Sequence, residues 1–317
     1  MSTDESTMHT ARRRGELLAR AALAFSLTCL AVLGVVLSHM ADPAAMEDLP
    51  LVAVGAGCMA VGLGVHGMAL NDLIDLRRDL ALDPTRILAS GSIGAGQAAL
   101  IASGSLILAV LGSAMVGGQS IYVLVLLAGA LLFHNAMARF IPAIGLLMPG
   151  LLVAGLSMLR GWPPAVGWLP WSVFTIAVAI ALLVHVLANK RPRPSPRALI
   201  GLTIEWVVVS VLLLAIPMTG QGDLLVQWGL LWPGAAMLVL VVLLAQAVRS
   251  ARSSLRAADR VVRTTGVWSG ACAATWCMAV GAHGWALGFA GATIVALLML
   301  MLLREVAGAS SQLVDWQ

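Results

Sequence analysis

The chain has 317 residues, 60% of them hydrophobic and only 11% charged, with a formal net charge of +4 and a mean hydropathy of +0.95. No soluble single domain has this composition, and apolar runs of about 20 residues recur along the chain, each the length of a membrane-crossing helix. The basic residues flank those runs with no interleaved aromatics, which argues against a nucleic-acid partner.

In chain order, residues 1–14 read as a disordered polar tail ending in Arg12, Arg13 and Arg14. The apolar stretch after it is long and has no clean A-x-A end, so it reads as an uncleaved first span, 18–39. A short acidic loop with Asp42, Glu47 and Asp48 follows, then span two at 51–71. Span three (95–116) turns at Gly117–Gly118 into span four (121–138). Span five (143–159) leads to the loop 161–168, with turn chemistry and the interfacial residues Trp162 and Trp168. Span six (169–188) ends in a basic, proline-rich loop. Spans seven (198–217) and eight (226–247) precede a basic segment, 249–263, expected to form a short surface helix. Span nine (265–280), a tight turn at 281–285 and span ten (286–303) complete the series.

The expected fold is therefore all-α, a polytopic transmembrane bundle of about 9–10 spans. It forms one domain over 15–305, with a cytoplasmic tail at 306–317. With the N-terminus in the cytoplasm, every Lys and Arg except Arg160 falls on the cytoplasmic side, as the positive-inside rule requires. Cys29, Cys58, Cys272 and Cys277 lie inside apolar runs without zinc spacing and read as buried small residues.

The acids are concentrated in one place, NDLIDLRRDLALD at 71–83. If the helix of span two continues through it, Asp72, Asp75 and Asp79 lie within roughly 60° of one another on one face. Three such carboxylates repel one another unless a cation sits among them, and Mg²⁺ favours oxygen sites of this kind together with a substrate phosphate. Arg77, Arg78 and Arg86 lie close enough in sequence to hold phosphate oxygens. The alternative is a membrane-edge segment whose Asp and Arg residues pair with each other.

NDLIDLRRDLALDPTRILASGSI resembles the first signature of the UbiA superfamily of membrane prenyltransferases, NDxxDxxxD followed by Pro, Arg and SG. Here those positions are Asn71, Asp72, Asp75, Asp79, Pro84, Arg86, Ser90 and Gly91. Ile87 and Ala89 stand where the family usually has prolines. HNAMAR (134–139) resembles the family's tyrosine-to-lysine segment, with His134 and Arg139 at those two places. The GMALND wording (67–72) resembles a divergent branch called EboC-like. The resemblance implies a prenyl diphosphate donor bound at the cytoplasmic helix ends, with Mg²⁺ on Asp72, Asp75 and Asp79 as the catalytic and metal-binding set. It also implies diphosphate contacts from Asn71, Arg78, Arg86 and Arg139, and a small-molecule or lipid acceptor.

The family's second Asp motif is missing. Its place at the end of span six reads HVLANKRPRPSPR, and no Asp or Glu occurs between Asp83 and Glu205. Three readings stay open. Lys190 and Arg191, with Arg193 and Arg197, replace the second metal; or Glu205 supplies a substitute ligand; or the protein binds a prenyl lipid without turnover. His185 and Asn189, four residues apart, are expected to face together. His66, His134 and Asn135 are further candidates for the pocket. A transporter is disfavoured, because charges inside the spans are too few for a relay.

Overall fold

The computed structural model describes residues 3–40, 48–84, 86–161, 168–215 and 228–312. Among the described residues there are ten α-helices and no strands: α1 (Thr3–Met40), α2 (Leu49–Leu82), α3 (Ala95–Val116), α4 (Gly118–Ala136), α5 (Pro142–Leu156), α6 (Trp168–Leu187), α7 (Pro196–Ala215), α8 (Leu231–Arg249), α9 (Ser254–Ala279) and α10 (His283–Gln312). A 3-10 turn, Ala138–Phe140, joins α4 to α5.

Each of the ten spans read from the sequence corresponds to one of these helices. Eight are long and apolar enough to cross a membrane. Of the other two, α5 has 15 residues and carries Pro149 inside it, and α9 opens on Arg256, Asp259, Arg260 and Arg263. The outer helices carry many exposed aliphatic side chains, among them Leu100, Leu126, Val211, Leu238 and Leu298. That is the surface expected of a bundle whose solvent is lipid.

Three boundaries correct the sequence reading. The surface helix at 249–263 and span nine are one helix, α9, started by Ser253, whose side chain accepts from the Arg256 backbone N–H. No proline or glycine lies between Ser254 and Thr265 to break it. Helix α1 already begins at Thr3, inside the segment expected to be a disordered tail, and α10 runs to Gln312, into the expected C-terminal tail. Trp162, Asp42 and Glu47 lie outside the described residues. The turn at Gly117 holds: α3 ends at Val116, α4 starts at Gly118, and Gly117 has φ +124°, which an L side chain rarely adopts.

The core is built around α1, whose Leu33, Val35, Val36 and Leu37 are fully buried with Met59 of α2 and Leu169 of α6. In lipid, helices associate through close packing between small residues. At the α2–α3 crossing, a Cβ on Gly112 would stand 2.5 Å from both Gly55 O and Met59 N. Arg160, the one cation read as lying on the far face, donates to Nε2 of buried His39, whose Nδ1 contacts Val35 O at 2.9 Å.

Candidate functional site

Helix α2 carries the acidic stretch beyond its apolar part and ends at Leu82, with Asp83 as its cap. Pro84 follows and cannot continue the ladder. Asn71, Asp72, Asp75 and Asp79 therefore stand on one continuous helix, as the spacing required. Their side chains do not share one partner. Asp75, 6% exposed, accepts two hydrogen bonds from Arg139 of the 3-10 turn, at 2.6 and 2.5 Å. The same guanidinium donates to Asn71 Oδ1 at 2.9 Å and lies 4.9 Å from the centre of the Phe140 ring. Asp79, also buried, accepts from Arg86 at 2.9 Å, and Arg86 Nε reaches Asp83 at 3.9 Å. Asp72 turns to α1 and accepts from Arg20 at 2.8 and 3.0 Å. The signature is thus an alternation of acids and arginines contributed by three other parts of the chain.

These pairs border a cavity of about 1050 Å³. Its mouth is lined by Asn71, Asp75, Arg78, Asp79, Asp83, Arg86, His134, Arg139, His185, Lys190 and Arg191. Five cations there face three carboxylates. Arg78, Lys190 and Arg191 have no ion pair among the described residues. The Lys190 ammonium is held below its usual value, first by desolvation and then by neighbouring Arg86. The side chain as a whole is exposed, so water screening keeps that effect small. Away from the mouth the wall is mostly apolar, with Leu30 and Leu33 of α1, Leu146 and Val153 of α5, Ile176 and Ile180 of α6, Leu240 of α8, and Trp276 of α9, and it carries a few hydroxyls such as Ser26, Ser172 and Thr265. Trp168 and Trp171, at the opposite end of α6 from His185, also line it. The cavity therefore follows nearly the whole of α6.

The structure brings together Asn71, Asp75, Arg78, Asp79, Arg86, His134, Arg139, His185, Lys190 and Arg191. It separates the rest. Asp72 is not on the cavity wall because Arg20 holds it against α1. His66 hydrogen-bonds to Ala102 O of α3 at 2.9 Å, and Asn135 donates to Gly67 O at 3.1 Å, so both tie helices together outside the cavity. Asn189 is off this cavity wall, but it and His185 line a second groove together, although α6 ends at Leu187 and Asn189 has φ +51°. The His185 ring contacts Pro192 O at 3.0 Å. Asn189 accepts from Arg193 at 3.2 Å in a smaller groove of about 410 Å³ beside the mouth. Glu205, on α7, is off the cavity wall, and its Oε2 is buried without a hydrogen-bond partner. Arg20 was invisible to sequence reasoning, because a lone arginine at the start of a first span reads as a flank. The apolar wall from α8 and α9 gave no local signal either.

The expected Mg²⁺ set does not fit this arrangement as a ready-made site. Both oxygens of Asp75 and one of Asp79 already accept from guanidinium groups, and Asp72 lies outside the cavity. Among the described residues no cluster of three His, Cys, Asp or Glu side chains is placed to hold a metal ion. A bidentate arginine takes two of a carboxylate's roughly four lone-pair sites and sets a positive charge beside any cation that would bind the others.

No protein-family model and no curated protein matches the sequence. Solved structures do. A structure of digeranylgeranylglyceryl phosphate synthase is similar with a TM-score of 0.53 at 16% identity, over 83% of this chain and 98% of that one. The apo structure of a UbiA homolog from Aeropyrum pernix K1 is similar with a TM-score of 0.53 at 17% identity, over 78% of this chain and 96% of that one. Both alignments take in nearly all of the solved chain, so the likeness is to the whole bundle rather than to a shared helical hairpin. Together with its eight membrane-length apolar helices, this makes the chain a multi-pass membrane protein with the fold of the UbiA superfamily.

Proposed function

We propose that this chain is a UbiA-superfamily prenyltransferase that moves an isoprenoid group from a prenyl diphosphate to a small aromatic or lipid acceptor. The observation that carries this reading is the single cavity that joins a cationic mouth to an apolar bore. It matches a ligand with an anionic head and a hydrocarbon tail. The allylic C–O bond breaks, and diphosphate leaves with the electron pair. A new bond then forms between the allylic carbon and the nucleophilic atom of the acceptor, which gives up a proton. Cations at the mouth stabilise charge developing on the leaving group, and the apolar bore keeps water from the carbocation. His134 lines the cavity with its Nδ1 buried and unpartnered, and it is the base we assign to the acceptor's proton. By the positive-inside rule the mouth and both termini face the cytoplasm.

The bore sets donor length in this reading. Ala177 lines it, eight residues before His185 and so about 12 Å along α6 from the mouth. Ala177→Phe is expected to weaken binding of geranylgeranyl diphosphate by about tenfold while leaving dimethylallyl diphosphate unaffected, since one bulky ring against a buried tail is worth roughly 1–3 kcal/mol. Titrating both donors against purified wild type and variant checks this. Equal loss for the two would show that the tail does not lie in the bore.

Two aspartates of the signature are expected to separate. Asp72→Asn breaks the pair with Arg20, which is only partly buried, and is expected to cost about 1 kcal/mol of stability with diphosphate affinity unchanged. Asp75→Asn disturbs Arg139 within the cavity wall and lowers both. Thermal unfolding and donor binding, measured on the same preparations, test the distinction.

A non-catalytic isoprenoid-binding role is the second reading, favoured by the engagement of the acids with arginines. Donor binding without release of inorganic pyrophosphate, in membranes that supply acceptors, would support it over transfer.

A further inference from the structure

We infer that the mouth of this cavity grips the diphosphate of its ligand directly with Arg and Lys side chains rather than through a bridging divalent cation. The inference rests on the prenyl diphosphate reading above and deepens it. Asp75 and Asp79 are neutralised by Arg139 and Arg86, so those pairs bring little net charge to the mouth. Lys190 and Arg191, together with Arg78, then bring three positive charges against the one remaining carboxylate of the mouth, Asp83, so the mouth carries an excess of positive charge. A divalent cation entering there would increase the repulsion among these groups, whereas a diphosphate would relieve it. Guanidinium groups match phosphate oxygens in a planar, bidentate geometry, and a lysine ammonium serves as a point charge beside them.

Two further observations point to an anion. Arg139 Nε is buried with no hydrogen-bond partner, although the same side chain is doubly engaged with Asp75 through its other nitrogens. A buried charged donor left unmade is costly, and a ligand oxygen is the kind of group that satisfies it. The chain also has no acid between Asp83 and Glu205. The loop that closes the mouth after α6 thus brings cations with no carboxylate to anchor a metal.

The test uses the full chain in detergent or nanodiscs, with geranylgeranyl diphosphate as the probe and inorganic pyrophosphate as competitor. Binding is measured with Mg²⁺ and with excess chelator, for wild type and for Lys190→Ala/Arg191→Ala. The inference expects wild-type affinity to survive chelation, and the double variant to bind about 10- to 100-fold more weakly in either condition. Lys190→Arg on its own is expected to retain binding. If chelation abolishes wild-type binding, the direct grip is overturned while the prenyl diphosphate reading stands. If no diphosphate binds with or without metal, both are overturned. The wild-type chelation arm decides the matter even where the double variant fails to fold.

Discussion

Replacing Arg139 by alanine is expected to remove about 3–5 kcal/mol of stability and to abolish measurable donor binding. Arg139 joins the 3-10 turn to both Asn71 and Asp75. The side chains of Arg139 and Asp75 are 17% and 9% exposed. Truncating the arginine leaves a buried carboxylate uncompensated, which costs more than the pair contributes when intact. Arg139→Lys is expected to rescue little, because an ammonium cannot make the two parallel bonds to Asp75 and still reach Asn71. Arg139→Ala/Asp75→Ala should recover most of the lost stability, since the orphaned charge is gone, yet it should not recover binding. A double-mutant cycle read by thermal unfolding and by donor titration separates the two effects. If binding returns with stability, Arg139 acts only through folding.

Among the described glycines, Gly34→Ala is expected to be the most damaging methyl addition, costing about 3 kcal/mol or more. A Cβ at Gly34 would run into the Ser157 carbonyl oxygen and come within 2.6 Å of its carbon and 2.8 Å of its Cα. These are backbone atoms just after α5, and no rotamer change moves them. Relief requires α1 to withdraw from α5, and both helices line the cavity. Gly104→Ala provides the comparison. Gly104 sits on α3 with no described atom within 4 Å of its Cβ position, so the same change there is expected to be neutral or to stabilise by about 0.5–1 kcal/mol through helix propensity. Unfolding of the two variants in one detergent, alongside donor binding, tests the pair. Equal outcomes would mean that the α1–α5 contact is looser than it stands here.

Sequence alone determined the elements and the position of the acidic stretch. Membrane spans declare themselves because about 20 apolar residues are needed to satisfy the backbone in lipid, and each of the ten expected spans coincides with a helix. The continuation of α2 through Asn71, Asp72, Asp75 and Asp79 was legible from a helical period and a closing Pro84. The boundary differences came where a polar helix reads as a tail, at residues 3–14, and where one helix with a polar start reads as two, at α9. Helix propensity, and at α9 the Ser253 cap, are not registered by a hydropathy pattern.

Only the tertiary structure decided what the acids do. A helical period puts Asp72, Asp75 and Asp79 on one face, but each has a different arginine partner, near in the chain for Asp79 and distant for Asp72 and Asp75. Arg20 lies 52 residues before Asp72, and Arg139 lies 64 residues after Asp75. The same holds for His66 and Asn135, whose carbonyl partners lie on other helices. The apolar bore has no sequence signature, because its wall is shared among five helices whose lipid-facing and cavity-facing residues are equally hydrophobic. In a membrane, hydrophobicity marks a helix but does not tell which side faces lipid and which encloses a ligand. Close packing and paired charges settle that, and neither is local in the chain.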